Sequence, residues 1–127
     1  MTSLLLDTKA FLWLMLDDRS LGARARALIE FADEVHFSAA SIWELEIKRL
    51  SGKIARSVAF DPVVGTGLVE LPVTAVHARG ISTIELLHND PFDRLILTQA
   101  VIEGLTLVTS DRDLLALGRA DVIDARA

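Results

Sequence analysis

Residues 3–16 read SLLLDTKAFLWLML: four residues rich in leucine, an aspartate, then a nine-residue stretch dense in apolar side chains that stops at Asp17-Asp18-Arg19. A short run that is apolar on both faces is the pattern of a strand covered on both sides, and a strand running straight into a helix is the opening of a parallel α/β unit. The same grammar recurs along the chain. Val35-His36-Phe37 is a second short strand, and Val69-Glu70-Leu71-Pro72 a third. Leu105 to Val108 is the clearest of all, and Val122-Ile123 adds a last short one. Helical patterns lie between them. One opens at Ser20 and runs to about Phe31, with Leu21, Ala25, Leu28 and Ile29 on one face. Another follows Ser41, which with Glu44 matches a capping box, and ends near Gly52 with Trp43, Leu45 and Leu50 turned inward. A third spans about Thr74 to Leu87. A fourth begins at Pro91 and ends at Gly104, and a short one covers Asp111 to about Leu117. The fold class is therefore α/β, three layers with a central parallel sheet of four to five strands, in a single domain over residues 1–127.

The composition agrees with one compact core. The 127 residues are 51% hydrophobic and 24% charged, which excludes disordered, collagen-like and low-complexity classes. With no cysteine there is no disulfide frame and no thiolate chemistry, so any metal is held by oxygen or imidazole. The amino-terminal apolar run is broken by Asp7 and Lys9, and no stretch approaches the roughly 20 apolar residues of a membrane span. The expectation is an unprocessed cytoplasmic protein. The net charge of −5 opposes nucleic-acid binding, so an anionic partner needs local help.

That help is suggested by the acids. Ligands of open α/β sheets bind beyond the carboxyl ends of the strands. Asp7 follows the first strand, Glu44 lies one turn into the helix after the second, and Asp111 closes the Leu105–Val108 strand. Asp93, in the first turn of the helix that feeds that strand, is the fourth. Carboxylates gathered on one edge repel one another unless cations lie between them, and oxygen-only ligands of this kind select Mg²⁺ or Mn²⁺. Each acid also has a plain structural role open to it: Asp7 and Asp111 as helix caps, Glu44 as the partner of Ser41, Asp93 as a complement to a helix dipole. Lys48, Arg49, Lys53 and Arg56 form an acid-free basic stretch that serves either phosphate contacts or a solvated helix end. Arg94 is expected to pair with a neighbouring acid, His88 to serve a turn, and Trp13 and Trp43 to pack in the core. His36 and His77 have no ligand spacing.

Five blocks, LLLDT, SAASIWELEIK, LPVTAVHA, LLHNDPFDRLILTQA and LTLVTSD, occur in this order over nearly the whole chain, and together they resemble the PIN domain, more narrowly the VapC-type toxin ribonucleases of type II toxin–antitoxin pairs. The resemblance implies a Mg²⁺- or Mn²⁺-dependent endoribonuclease whose acidic metal site is matched by Asp7, Glu44, Asp93 and Asp111. It implies that Asp90 is a turn or cap for the Pro91 helix and that Thr109 orients a carboxylate. The aromatic residue that often follows the last acid is missing, leaving Asp113 as a possible outer ligand. RNA as substrate, a cognate antitoxin and homodimerisation are implied as well. The high apolar fraction supports a different class of function, a PIN-fold binding module that acts only through protein partners. A phosphatase or receiver chemistry is disfavoured because Asp7-Thr8-Lys9 lacks a second aspartate two residues on and no lysine follows Thr109-Ser110-Asp111.

Overall fold

The computed structural model describes residues 2–60, 67–84 and 90–127. Five strands form one wholly parallel sheet in the order β3-β2-β1-β4-β5. Along the chain these are β1 (Ser3–Leu6), α1 (Thr8–Leu16), α2 (Ala23–Phe31), β2 (Glu34–Ser38), α3 (Ala39–Leu50), β3 (Val69–Leu71), α4 (Ala75–Gly80), a 3₁₀ turn (Ile81–Thr83), α5 (Pro91–Glu103), β4 (Thr106–Thr109), α6 (Arg112–Ala116) and β5 (Val122–Asp124). The α/β class and the three layers are as the sequence indicates.

The period-2 alternation of a strand explains the layering. Leu4 and Leu6 point to one face, where they join Phe11 of α1, Ala25 of α2, Leu45 of α3, and Phe37 and Val108 of the sheet. Leu5 points to the other, with Leu107, Ile96, Leu97 and Ala100 of α5 and Leu114 of α6. All three leucines are fully buried, and this is why β1 carries no polar residue after Ser3. Phe11 and Phe37, both buried, stack with centroids 5.3 Å apart.

Several local expectations are corrected. α2 begins at Ala23 rather than Ser20: the Ser20 amide is already held by Asp18 Oδ1 at 2.8 Å. Gly22 is its N-cap and has no side chain to offer, so the Ala127 carbonyl accepts from Ala25 N at 3.1 Å instead. Leu28 of the expected inner face is partly exposed. The cap of α3 is Ser38, whose hydroxyl accepts from Ala40 N at 3.1 Å, so Ser41 and Glu44 do not form a capping box. Of the three α3 side chains expected inward only Leu45 is buried, while Trp43 is 63% and Leu50 88% exposed. At about 100° per residue, Trp43 lies roughly 160° and Leu50 roughly 140° around the helix from Leu45, so one face cannot hold all three. The helix expected from Thr74 to Leu87 stops at Gly80 and continues as the 3₁₀ turn; its last residues, like His88, lie outside the described residues. Gly80 lets α4 meet α5 closely, since a Cβ there would stand 2.9 Å from Thr98 and Ile102 side-chain carbons.

The topology fixes where a site belongs. The chain builds outward from β1 through β2 to β3, then returns to the opposite side of β1 for β4 and β5. Strand order therefore reverses between β1 and β4, and in such sheets the crevice beyond the carboxyl ends at that point is where ligands bind. Asp7 and Asp111 follow those two strands.

Candidate functional site

Asp7 is the N-cap of α1. Its Oδ1 accepts from Ala10 N at 2.8 Å, and its Oδ2 accepts from the Thr109 hydroxyl at 2.6 Å. The Thr109 oxygen in turn accepts from Asp111 N at 3.0 Å, so one hydroxyl ties the ends of β1 and β4 together. Asp111 is the N-cap of α6, with Oδ1 on the amides of Asp113 and Leu114. Asp90 is the N-cap of α5, ahead of Pro91, and its Oδ1 accepts from Phe92 N at 2.9 Å and Asp93 N at 3.3 Å. The capping roles open to Asp7, Asp90 and Asp111 are thus all filled, and the same residues nevertheless converge.

Asp7, Glu44, Asp90, Asp93 and Asp111 line a single cleft of about 400 Å³ together with Thr8, Lys9, Lys48, Ser110, Arg112 and Arg126. Glu44 is held by two neighbours: the Thr8 hydroxyl donates to Oε1 at 2.6 Å, and Lys48 pairs with Oε2 at 3.1 Å. Thr8 also lies 3.0 Å from the Ser41 hydroxyl. A hydroxyl has one proton to give, and the carboxylate is the stronger acceptor, so Ser41 is left to donate to Thr8. Behind the cleft, the buried Ser38 hydroxyl donates to Gln99 Oε1 at 2.5 Å, joining the start of α3 to α5 and fixing the helices that carry Glu44 and Asp93 relative to each other.

The electrostatics record the crowding. Burial pushes the Asp7 carboxyl up from 3.8 to about 6, against the hydrogen bonds from Thr109, Ala10 and Ser110, with the Glu44 charge adding to the rise. Asp93 is raised further, first by burial and then by the charges of Asp90, Asp111 and Asp7 and a hydrogen bond with Asp111. Carboxyls that resist ionisation because they are buried, and then because other carboxylates face them, make a site that a cation would relieve. Among the described residues no trio of acid or histidine side chains is gathered tightly enough to hold an ion as it stands; Asp7, Glu44 and Asp111 are each engaged by protein donors. The donor set itself, carboxylate oxygen with neither sulfur nor imidazole, fits a hard divalent cation.

Other sequence candidates fall elsewhere. Asp113 is exposed and outside the cleft lining. Of the basic stretch only Lys48 reaches the cleft. Arg49 pairs with Glu46 at 3.3 Å, donates to the Arg56 carbonyl and lies over the Phe60 ring, while Lys53 and Arg56 are exposed. Arg94 donates to the carbonyls of Ile81 and Ile84. Trp13 packs on the core beneath Arg126, but Trp43 does not; it meets the edge of Phe92. His77 is buried, its Nδ1 accepting from Thr74 N in a capping box and its Nε2 3.5 Å from Glu103. The cleft residues missed in the sequence are Thr8, Lys9, Ser110, Arg112 and Arg126. Thr8, Ser110 and Arg112 are chain neighbours of the acids and adjacency was their signal; Arg126 has none, because only the β4–β5 pairing brings it there. A larger, apolar hollow of about 490 Å³, lined by Leu14, Met15, Ile29, Val35, Leu68 and Val69 among others, opens at the opposite edge of the sheet.

The arrangement can be set beside known proteins. The family model of the PIN domain matches residues 4–120, from the first residues of β1 to beyond α6. The chain belongs to the PIN-domain family. It is 32% identical to Ribonuclease VapC22 of Mycobacterium tuberculosis, over 90% of this chain and 91% of that protein, which places it beside the VapC proteins within the family. Its fold is shared by a toxin–antitoxin complex from Klebsiella pneumoniae, with TM-score 0.68, 18% identity and coverage of 96% of this chain and 97% of that one. It is shared as well by VapBC2 of Rickettsia felis bound to a DNA fragment from their promoter, with TM-score 0.67, 16% identity and 97% of each chain.

Proposed function

We propose that this PIN-domain protein is a single-domain endoribonuclease dependent on Mg²⁺ or Mn²⁺, the toxin of a toxin–antitoxin pair, and that Asp7, Glu44, Asp93 and Asp111 are its metal ligands. The observation that carries the reading is the convergence of these acids in one cleft at the switch point of the sheet, with burial and mutual repulsion raising Asp7 and Asp93. The name of the 32% identical relative supplies the reaction class. A hard divalent cation at these carboxylates would supply Lewis acidity and an activated water for phosphodiester hydrolysis.

The chain's own part is preorganisation. Thr109 fixes the Asp7 carboxylate and the Asp111 backbone with one hydroxyl, Thr8 fixes Glu44, and Asp90 sets the first turn of α5 from which Asp93 projects. Asp90 and Thr109 are thus supporting residues. Lys48 is proposed to touch substrate phosphate at the cleft mouth; Arg49, Lys53 and Arg56, outside it, serve at most an RNA strand that runs past the α3 end.

Protein partners have their own support. Trp43 and Leu50, about 20° apart around α3, leave an apolar face of that helix in water, and contiguous apolar surface on a small protein marks docking. We assign it to a second copy of the chain and to an inhibiting antitoxin. No helix among the described residues is long and apolar enough to cross a membrane, and we place the reaction in the cytoplasm, where its RNA is. Total cellular RNA incubated with the purified protein in Mn²⁺, in Mg²⁺ and in chelator tests the proposal. Discrete fragments that need metal and vanish in Asp93→Asn are expected; their absence in both metals leaves the partner-binding module as the function.

A further inference from the structure

The protein is acidic overall, yet cations gather at the one place where an anionic substrate must enter. Lys9, Lys48, Arg112 and Arg126 all line the acidic cleft. They are not equivalent. Lys48 is paired with Glu44, at 3.1 Å, so a phosphate it meets shares it with that carboxylate. Lys9, Arg112 and Arg126 are exposed, and among the described residues none of the three has an ion-pair partner, but only the two arginines offer a planar fork to a phosphate.

Their placement along the sheet edge is ordered. Glu44 and Lys48 come from α3, beyond β2. Asp7 and Asp111 stand at the ends of β1 and β4. Arg112 is the first residue of α6, directly after β4, and Arg126 follows β5, the outermost strand on that side. Both guanidinium groups therefore mark the β4–β5 end of a line whose centre is the acid cluster. Arg126 is also held in place. β5 pairs with β4, Gly22 N donates to the Ala125 carbonyl at 2.9 Å and Ala25 N to the Ala127 carbonyl at 3.1 Å, so its backbone is pinned on both sides. Its guanidinium lies over the Trp13 ring, 5.3 Å from the centroid. A stacked, planar guanidinium keeps its N–H fork free for a phosphate and loses little freedom on binding.

From this placement we propose that Arg112 and Arg126 form a phosphate clamp at the β4–β5 end of the cleft, which grips the backbone of a single-stranded RNA beside the bond cut at the acids. The inference rests on the nuclease reading above and adds two residues that hold the substrate across the acids from Lys48. Contacts to phosphate position a strand without reading its bases, and unpaired RNA is the form whose backbone can bend to bring one bond to the acids. The clamp also answers the charge problem: two guanidinium groups without an ion-pair partner attract the strand to a protein whose net charge of −5 opposes it.

The test measures binding without cutting. In the Asp93→Asn background, a fluorescein-labelled single-stranded RNA of randomised sequence is titrated by anisotropy at several salt concentrations, with Arg112→Gln, Arg126→Gln, both together, and the charge-retaining Lys variants. Each Gln substitution is expected to weaken binding roughly five- to tenfold, and the double variant to lower the salt slope by about 1.4, since each single-strand phosphate contact contributes about 0.7. The Lys variants should recover most of the slope. In the Asp93-intact protein the melting temperature should fall by no more than about 2–4 °C, the loss of the Arg126–Trp13 contact, and Mn²⁺ affinity should not fall, whereas a folding or metal defect would lower one or both. Equal affinity and slope in parent and double variant would overturn the clamp while leaving the nuclease reading standing. RNA bound by no form of the protein, together with no cleavage by the parent, would overturn both.

Discussion

Replacing Asp7 by Asn should make the metal-free protein more stable while abolishing its chemistry. The Asp7 carboxyl is almost wholly buried and titrates near 6 in the fold against 3.8 in an unfolded chain. The folded state therefore holds its proton more tightly, so the contribution to stability is complete below pH 3.8 and is lost as pH rises through about 6. Two pKa units correspond to about 3 kcal/mol. Asn carries no charge to bury and still offers Oδ1 to Ala10 N, but it cannot accept the Thr109 proton as a carboxylate does, a loss of about 1 kcal/mol. The net gain near neutral pH in chelator is about 2 kcal/mol, or roughly 6–8 °C in melting temperature for a chain of this size. Calorimetry of parent and Asp7→Asn in chelator, near pH 7.5 and near pH 4, reads it. The variant should melt higher near pH 7.5 and lose its advantage near pH 4. Saturating Mn²⁺ should raise the parent alone. A variant that melts lower than the parent near pH 7.5, or a gap that ignores pH, would refute the reasoning that buried, mutually repelling carboxylates strain this cleft.

Other outcomes follow from the same contacts. Thr8→Val, which removes the hydroxyl held 2.6 Å from Glu44, should weaken Mn²⁺ binding roughly 10–100-fold, as losses behind a metal ligand do, while Thr8→Ser keeps it; titration calorimetry distinguishes them. Gly22→Ala should cost about 1–3 kcal/mol, because its Cβ collides with the carbonyls of Arg126 and Ala127 and must push the last strand's extension away; urea melts measure it, and Arg126→Gln, which leaves that backbone alone, should not reproduce it. Phe11→Ala, which empties one half of the buried Phe11–Phe37 stack, should cost about 3–5 kcal/mol in the same melts. Leu50→Lys should leave the melting temperature within about 1–2 °C and weaken self-association in sedimentation, since the side chain is exposed.

The strands were legible because Leu4, Leu5 and Leu6 need cover on both sides, and only a sheet sandwiched by helices supplies it. The gathering of Asp7, Glu44 and Asp111 was legible for a topological reason, since parallel strands put every strand end on one edge and these acids follow strands; Asp93 opens a helix that precedes β4, and its arrival in the cleft depended on how α5 docks. What failed to show was angular and long-range. Trp43 and Leu50 look like core residues by type and are outward by helical phase. The cap of α3 is Ser38, three residues before the Ser41 that the sequence pattern marked, and Ser41 instead sits inside the helix against Thr8, 33 residues away in sequence. Arg126 enters the cleft only because β5 lies beside β4. A run of basic residues in sequence, Lys48 to Arg56, was the more visible signal and marks only one cleft residue, whereas the cations that ring the acids come from four separate segments.

The claim that these acids form a divalent-cation site that cuts RNA is met most directly by following both properties in the same samples. Mn²⁺ is titrated into the parent, Asp7→Asn, Glu44→Gln, Asp93→Asn and Asp111→Asn with cellular RNA present, reading bound metal by electron paramagnetic resonance and cleavage on gels. The account predicts that cleavage rises with bound Mn²⁺ in the parent and that each substitution lowers both together. Cleavage that persists in chelator, or in variants that no longer bind the ion, would contradict it.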